Sequence, residues 1–211
     1  MRFVRQMDSD RLYMALEEGE QAASFVYIPG CGFLPQDLPA GGTIEIPADQ
    51  AQTYILKMEE EMDRQLALAA DIAKKAHQGQ KDKGGQDYFT AHVSVVAKKA
   101  GQFGDKRAQA AGYLHDVVED TPWTCQELVS AGVRPDIAAA VGHLTRPEGA
   151  DYMDYVEKLR SDPIAAKVKL ADLANNMNLS RLGHEPTDKD RARADKYRRA
   201  LVLLMYGFRQ D

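Results

Sequence analysis

The sequence predicts an all-α helical bundle behind a small β-containing N-terminal segment. Composition shifts near residue 48: before it, β-like runs at 24–28 and 43–46 flank a stretch holding Pro29, Gly30, Gly32, Pro35, Pro39, Gly41 and Gly42. After Pro47, apolar residues recur at helical spacing almost to the end of the chain. With 211 residues the chain is long enough for a sizeable core. The expected organisation is therefore an extension over residues 1–48 and a helical domain over residues 49–211.

Each element has a local reason. Gly41-Gly42 ahead of the alternating Thr43-Ile44-Glu45-Ile46 reads as a turn followed by a strand. From Asp49 to His77 the apolar positions Ile55, Leu56, Met58, Met62, Leu66, Ala69, Ile72, Ala73 and Ala76 fit a helix long enough to suggest a kink or two abutting helices. Helices are expected next over about 89–101 and 106–120, and then from Thr124, where Thr124 and Glu127 form a capping box. Others cover about 136–144, 152–160 and 164–178, the last with Pro163 in its first turn. A final helix spans about Asp188 to Phe208. There Arg and Lys solvate one face while Ala194, Tyr197, Leu201, Leu204 and Met205 pack.

Bulk properties narrow the function. A net charge of −5 and a pI near 5.6 argue against gripping nucleic-acid backbone. Two cysteines, Cys31 and Cys125, make neither a disulfide framework nor a thiolate zinc site. The N-terminus has no apolar signal-peptide region, and no run approaches the ~18–20 apolar residues that span a bilayer. The expectation is a cytoplasmic protein that meets a small molecule, not nucleic acid or membrane; a homo-oligomer stays open.

Chemistry concentrates in Leu114-His115-Asp116-Val117-Val118-Glu119-Asp120-Thr121. On one helix His115 would lie over Glu119 and Asp116 over Asp120. Four ionisable groups in an Ala-, Leu- and Val-rich setting are costly to bury unless something pairs with them, and a divalent metal would do so. His115 and Asp116 stand about 100° apart around such a helix, so both can reach one ion. Glu119 and Asp120 sit a turn on, roughly 5–6 Å away, suited to orienting or deprotonating water. Two other segments supply candidates. One is Ala76-His77-Gln78-Gly79-Gln80, running through Lys81, Asp82 and Lys83 to Tyr88 and His92. The other is Val168-Lys169-Leu170-Ala171-Asp172, followed by Asn175-Asn176-Met177.

These blocks, in this order, resemble the HD superfamily of metal-dependent phosphohydrolases, and within it the hydrolase domain of the RelA/SpoT type, including the small alarmone hydrolases. That family reads approximately A-H-x-G-Q…G-x-P-Y-x-x-H-P, then L-H-D-V-x-E-D-T, then V-K-L-A-D-R-x-x-N-M. The second block is complete here; the third has Leu173 in place of Arg. In the first, Tyr88 and His92 are four apart rather than three and Val93 replaces Pro, which a one-residue insertion or an earlier helix start accommodates. The match covers about residues 50–205.

The resemblance implies metal ligands His92, His115, Asp116 and Asp172, with Glu119 and Asp120 as catalytic carboxylates. Imidazole plus carboxylate suits Mn²⁺ or a similar divalent ion. Lys81, Lys83, Tyr88, Lys169 and Asn176 become candidate substrate contacts. The expected reaction is removal of a pyrophosphoryl group from a guanosine tetraphosphate-type alarmone, a (p)ppGpp 3′-pyrophosphohydrolase-like activity. Two other readings stay open: an HD phosphohydrolase of another nucleotide (a nucleoside monophosphate, a cyclic nucleotide or NADPH), and a non-catalytic, metal-stabilised regulatory or antitoxin module using residues 1–48. Ordinary roles also exist: Glu119 and Asp120 as a solvated helix end, Asn176 as a cap, the lysines as surface charge, and His77 and His143 as structural.

Overall fold

The computed structural model describes residues 1–7, 11–18, 21–40 and 43–207. They form two compact units. One comprises residues 1–64 with 104–106, the other residues 65–103 with 107–211.

The first unit is built on five antiparallel strands, β1 (Arg2–Gln6), β2 (Leu12–Glu18), β3 (Gln21–Ile28), β4 (Gly32–Pro35) and β5 (Thr43–Ile46), in the order β4-β3-β2-β1-β5. The register pairs Tyr13 with Val26 and Val4 with Tyr13. Alternation sends Leu12, Tyr27 and Ile46 to one face and Val4, Tyr13 and Val26 to the other. Onto the first face packs the beginning of helix α1 (Ala48–Ala76), through Ala51, Tyr54, Ile55 and Met58 at three- and four-residue spacing. Glu59 of α1 accepts hydrogen bonds from the Tyr27 hydroxyl (2.5 Å) and the Gly30 N–H (2.9 Å) and pairs with Lys106 (2.7 Å). Burial pushes Glu59 up, but those partners outweigh it and hold its carboxyl below the usual range.

Strands β1, β2 and β4 lie outside the two sequence-expected runs. They lack the plain alternation that marks a half-buried strand, because both faces of the sheet carry buried apolar side chains, as adjacent Leu12 and Tyr13 show. The expected turn residues Gly41 and Gly42 lie outside the described residues, as does Phe208. The long helix is one continuous element of 29 residues, not two. A core face shared with the sheet at its start, and with the helical unit from Gln65 on, gives it no reason to break.

The second unit holds the rest of α1, a π-helical turn (Phe89–Val93), α2 (Ser94–Gly101), α3 (Lys106–Leu114), α4 (Val117–Asp120), α5 (Cys125–Ser130), α6 (Pro135–Leu144), α7 (Tyr152–Lys158), α8 (Pro163–Asn176) and α9 (Asp188–Gly207). The capping box at Thr124 and Glu127 is formed, and Pro163 opens α8 behind the cap of Asp162. Helix α8 packs on α2, α6 and α9. It buries Ala165, Ala166, Val168, Ala171 and Leu173, small and branched side chains that let neighbouring helices approach closely. The described residues include no helix long and apolar enough to cross a membrane.

Candidate active site and metal centre

The expected single helix over residues 106–120 is broken where the chemistry sits. α3 stops at Leu114 and α4 begins at Val117, leaving His115 and Asp116 in a turn. The cause is His115 itself. Its Nδ1–H donates to the Gly112 carbonyl oxygen at 2.8 Å, occupying an acceptor at the helix end. The relation between Asp116 and Asp120 survives, because the Asp120 N–H still donates to the Asp116 carbonyl at 2.8 Å. Gly112 is needed for a second reason: a Cβ there would stand 2.8 Å from the Ala97 Cα, inside contact distance.

His92 arrives by another irregularity. The π-helical turn Phe89–Val93 widens one turn of backbone, which is how a helix absorbs one extra residue. The four-residue spacing between Tyr88 and His92 is thereby accommodated without losing either side chain: both line the same pocket, with ring centroids 5.1 Å apart.

From these elements and α8 the centre converges. His92 Nε2 lies 3.2 Å from His115 Nε2, 3.3 Å from Asp116 Oδ2 and 3.5 Å from Asp172 Oδ1. His115 Nε2 is 3.0 Å from Asp116 Oδ2 and 3.9 Å from Asp172 Oδ1. His92, His115 and Asp172 can each place a donor atom within 4.8 Å of the others, and all three are buried. Three side chains brace the carboxylates. Tyr88 donates to Asp116 Oδ2 at 2.6 Å, Asn176 to Asp172 Oδ1 at 2.5 Å, and Lys169 to Asp172 Oδ2 at 3.0 Å.

The electrostatics call for positive charge at the centre. Burial pushes His115 down, yet the charge and hydrogen bond of Asp116, then the charge of Asp172, hold it up at about 9. Burial pushes Asp116 up, but His115 and His92 outweigh it and keep the carboxyl well below its usual range. Asp172 is likewise lowered against burial, by Lys169 and the two imidazoles. The His115 bond to Gly112 keeps a proton on Nδ1, so that loss of the Nε2 proton would leave the inward-facing nitrogen free to ligate a metal. Two imidazole nitrogens and two carboxylates are a donor set that fits a divalent cation. Glu119 and Asp120 behave differently: burial first, and the neighbouring Asp116 charge second, raise both.

These groups face a pocket of about 310 Å³, within the range of small-molecule sites. Lys83, Tyr88, Glu119, Asp120, Lys169 and Asn176 line it as expected. Lys81 does not: it is exposed and forms an isolated bridge with Asp87. His77 is fully buried, its ring 5.2 Å from that of Tyr88 and its Nδ1 2.8 Å from Gln80 Oε1, and His143 is exposed beside Asp162.

Six lining residues escaped the sequence reading: Arg146, Tyr152, Tyr155, Arg181, Lys196 and Tyr197. Tyr197 was assigned to core packing and the cations of α9 to solvent. Asp82 faces inward to Arg181 at 3.2 Å and accepts the Gly84 and Gln86 N–H groups. Gly84 is required there, since a Cβ would run into the Arg181 carbonyl oxygen. Asn175, one residue from the expected Asn176, places its amide 2.9 Å from His92 Nδ1. A Tyr-x-x-Tyr run after an isolated Arg was the one available signal for the new wall.

A family model described as HD domain matches residues 69–205. Among curated proteins, the chain is 30% identical over 147 residues to a GTP pyrophosphokinase of Streptomyces coelicolor, covering 65% of this chain and 17% of that protein. It is 34% identical over 131 residues to the guanosine-3′,5′-bis(diphosphate) 3′-pyrophosphohydrolase of Haemophilus influenzae, covering 57% and 19%. It is 29% identical over 150 residues to the bifunctional (p)ppGpp synthase/hydrolase SpoT of Escherichia coli, covering 66% and 21%. The chain thus spans about a fifth of the length of the curated relatives it matches. A solved structure described as a metazoan ortholog of SpoT that hydrolyses ppGpp superposes with a TM-score of 0.55 at 20% identity, over 69% of this chain and 94% of that one. That likeness is one of fold.

Proposed function

The chain belongs to the HD-domain family, and from that premise we propose that it is a metal-dependent phosphohydrolase of nucleotides, removing the 3′-pyrophosphoryl group of a guanosine 3′,5′-bis(diphosphate)-type alarmone. The observation that carries the reading is the pairing of a buried His92-His115-Asp172 cluster, flanked by Asp116, with two raised carboxylates in the same pocket. A purely structural ion would need the first group but not the second.

In this reading His92, His115, Asp116 and Asp172 hold a divalent cation, which when bound supplies Lewis acidity toward the phosphoryl oxygens and toward water. The protein's own groups do the rest. Glu119 accepts the proton of the attacking water at its carboxylate, and Asp120 orients that water by accepting its second hydrogen. Lys169 balances Asp172 from the side away from His92 and offers charge to the phosphoryl group. Asn176 and Tyr88 hold the carboxylates to which they donate, so the cluster cannot drift as charge develops. The relatives' activities support the substrate class; the departure at Leu173 is a fully buried core side chain outside the pocket lining.

The test is incubation of the protein with Mn²⁺ and guanosine 3′,5′-bis(diphosphate). Pyrophosphate and guanosine 5′-diphosphate are expected in equal amounts. Absence of turnover across a panel of guanosine and adenosine 3′-diphosphates rejects the substrate class, and full activity after Glu119→Gln rejects the assigned base.

A further inference from the structure

Arg181 is a pocket cation whose donors are spent on the protein itself. It sits in the 3₁₀ turn Leu179–Leu182 that follows α8. Its Nη2 donates to Asp82 Oδ2 at 3.2 Å and its Nη1 to the Asn175 carbonyl oxygen at 3.3 Å, and Nη1 also lies 3.5 Å from His92 Nδ1. One guanidinium thus reaches the loop before the π turn, the end of α8 and a member of the buried His92-His115-Asp172 cluster.

Asp82 is the hub at the other end. Residues 80–88 fold back on themselves, the Asp82 N–H donating to the Gln86 carbonyl oxygen at 2.8 Å and the Tyr88 N–H to that of Gln80 at 3.0 Å. The Asp82 carboxylate fills the bend and accepts the Gly84 and Gln86 N–H groups at 2.9 Å each. Its side chain is 2% exposed, and among the described residues Arg181 is the cation at ion-pair distance from it. Burial pushes the Asp82 carboxyl up, but the Gln86 N–H, Arg181 and the Gly84 N–H outweigh it and hold it below the ordinary range. The two backbones meet as well, at Gly84 and the Arg181 carbonyl oxygen. The same bend delivers Tyr88, whose hydroxyl braces Asp116 at 2.6 Å.

A buried ion pair can serve only to neutralise its own charge, and a lysine would do that too. Arg181 does more: its planar fork sets one nitrogen on Asp82 and the other on Asn175 and the edge of His92, a division that one ammonium does not reproduce. We propose that Asp82 and Arg181 form a positioning pair, through which the bend at residues 80–88 and the end of α8 hold the His92 ring and Tyr88 in place around the cation site. The consequence for metal binding rests on the reading of that cluster as a metal centre; the cross-link itself does not.

The test titrates Mn²⁺ calorimetrically into the metal-free full chain. Kd should rise about 10–100-fold in Arg181→Met and in Asp82→Asn, the scale of losses from groups that orient metal ligands. The double variant should bind no more weakly than the weaker single one, because both substitutions remove one link. Arg181→Lys keeps a charge beside Asp82, so its Tm should stay near that of the wild type while Kd remains raised. A Kd within twofold of wild type in both single variants, losses that multiply in the double, or full recovery in Arg181→Lys overturns the proposal. Hydrogen exchange supplies a readout that needs no cation: in metal-free Arg181→Met the amides of Gly84, Gln86 and Tyr88 should exchange faster, and unchanged exchange also overturns it. If the wild type binds no Mn²⁺ while exchange responds, the metal-centre reading fails and the cross-link stands. If Mn²⁺ binds and is lost as expected but no nucleotide is hydrolysed, the reaction fails and the positioning pair stands.

Discussion

The two walls of the pocket solve the burial of charge in opposite ways. On the metal wall nearly every charge has a protein partner: Asp116 faces His115, His92 and Tyr88, and Asp172 faces Lys169 and Asn176. On the other wall Arg146 and Lys196 share a tyrosine ring, and among the described residues neither side chain has a carboxylate at ion-pair distance. A self-braced wall is rigid before anything binds, as reacting geometry requires. The other wall holds its cations by ring contacts and longer-range charge, and so constrains them less.

The largest effect should come from breaking the braced wall at its centre. His115→Ala removes one imidazole, opens the turn between α3 and α4, and leaves Asp116 without its nearest cation. Mn²⁺ affinity measured by calorimetry should fall by about a thousandfold or more, given the binding energies that metal sites supply, and turnover should vanish. Binding retained within tenfold would mean that His115 is only a core histidine. Next in size, Glu119→Gln should lower kcat by about 10²–10⁴, the usual range for a general base, while the Mn²⁺ affinity stays near that of the wild type. A parallel loss of metal would make Glu119 a ligand instead.

Asn175 offers a subtler break. Its amide is 2.9 Å from His92 Nδ1. The structure sets Asn175 Nδ2 against that nitrogen, with Arg181 Nη1 at 3.5 Å; turning the amide to present Oδ1 to an Nδ1–H would leave the His92 Nε2 lone pair facing the centre. Asn175→Ala should then weaken Mn²⁺ about 10–100-fold, the scale of losses from groups that orient metal ligands. Asn175→Asp, which keeps an acceptor, should recover most of it. If Asp fails as Ala does, the amide nitrogen is what faces the ring.

How much of this could be read from the chain follows from the same contrast. The metal wall was legible because its residues come in contiguous blocks, His115 beside Asp116 and Asp172 four residues before Asn176, each in an apolar frame that makes charge conspicuous. The other wall draws its residues from four separate places: Arg146 after α6, Tyr152 opening α7, Arg181 in the turn after α8, and Lys196 with Tyr197 midway along α9. A cation amid the many Arg and Lys of α9 carries no local mark of facing inward. The break at His115 was illegible for a different reason: helix periodicity continues through it, and only the histidine's bond to Gly112 ends the helix. The π turn was foreshadowed by the Tyr88-to-His92 spacing, since an extra residue must be absorbed somewhere if both side chains are to stay.

The smallest effect sharpens the distinction between braced and unbraced charge on the metal wall itself. Asp116 and Asp172 have carboxyls lowered in the fold, so they contribute stability at neutral pH that is lost as pH falls through their folded-state values. Glu119 runs the other way. Burial and the charge of Asp116 raise it above the ordinary 4.5, so the folded state holds its proton more tightly than the unfolded state does. Ionised Glu119 therefore costs stability at every pH above its folded-state value, and that cost disappears once the pH drops below 4.5. Replacing it by the neutral isostere removes the cost. In metal-free protein, Glu119→Gln should raise Tm at pH 8, by an amount that solvent screening of this partly exposed carboxylate keeps small. The gain should shrink to nothing near pH 4. An equal Tm difference at both pH values would show that the carboxylate is not held in the folded state at the expense of stability, and would remove the electrostatic ground for naming Glu119 as the base.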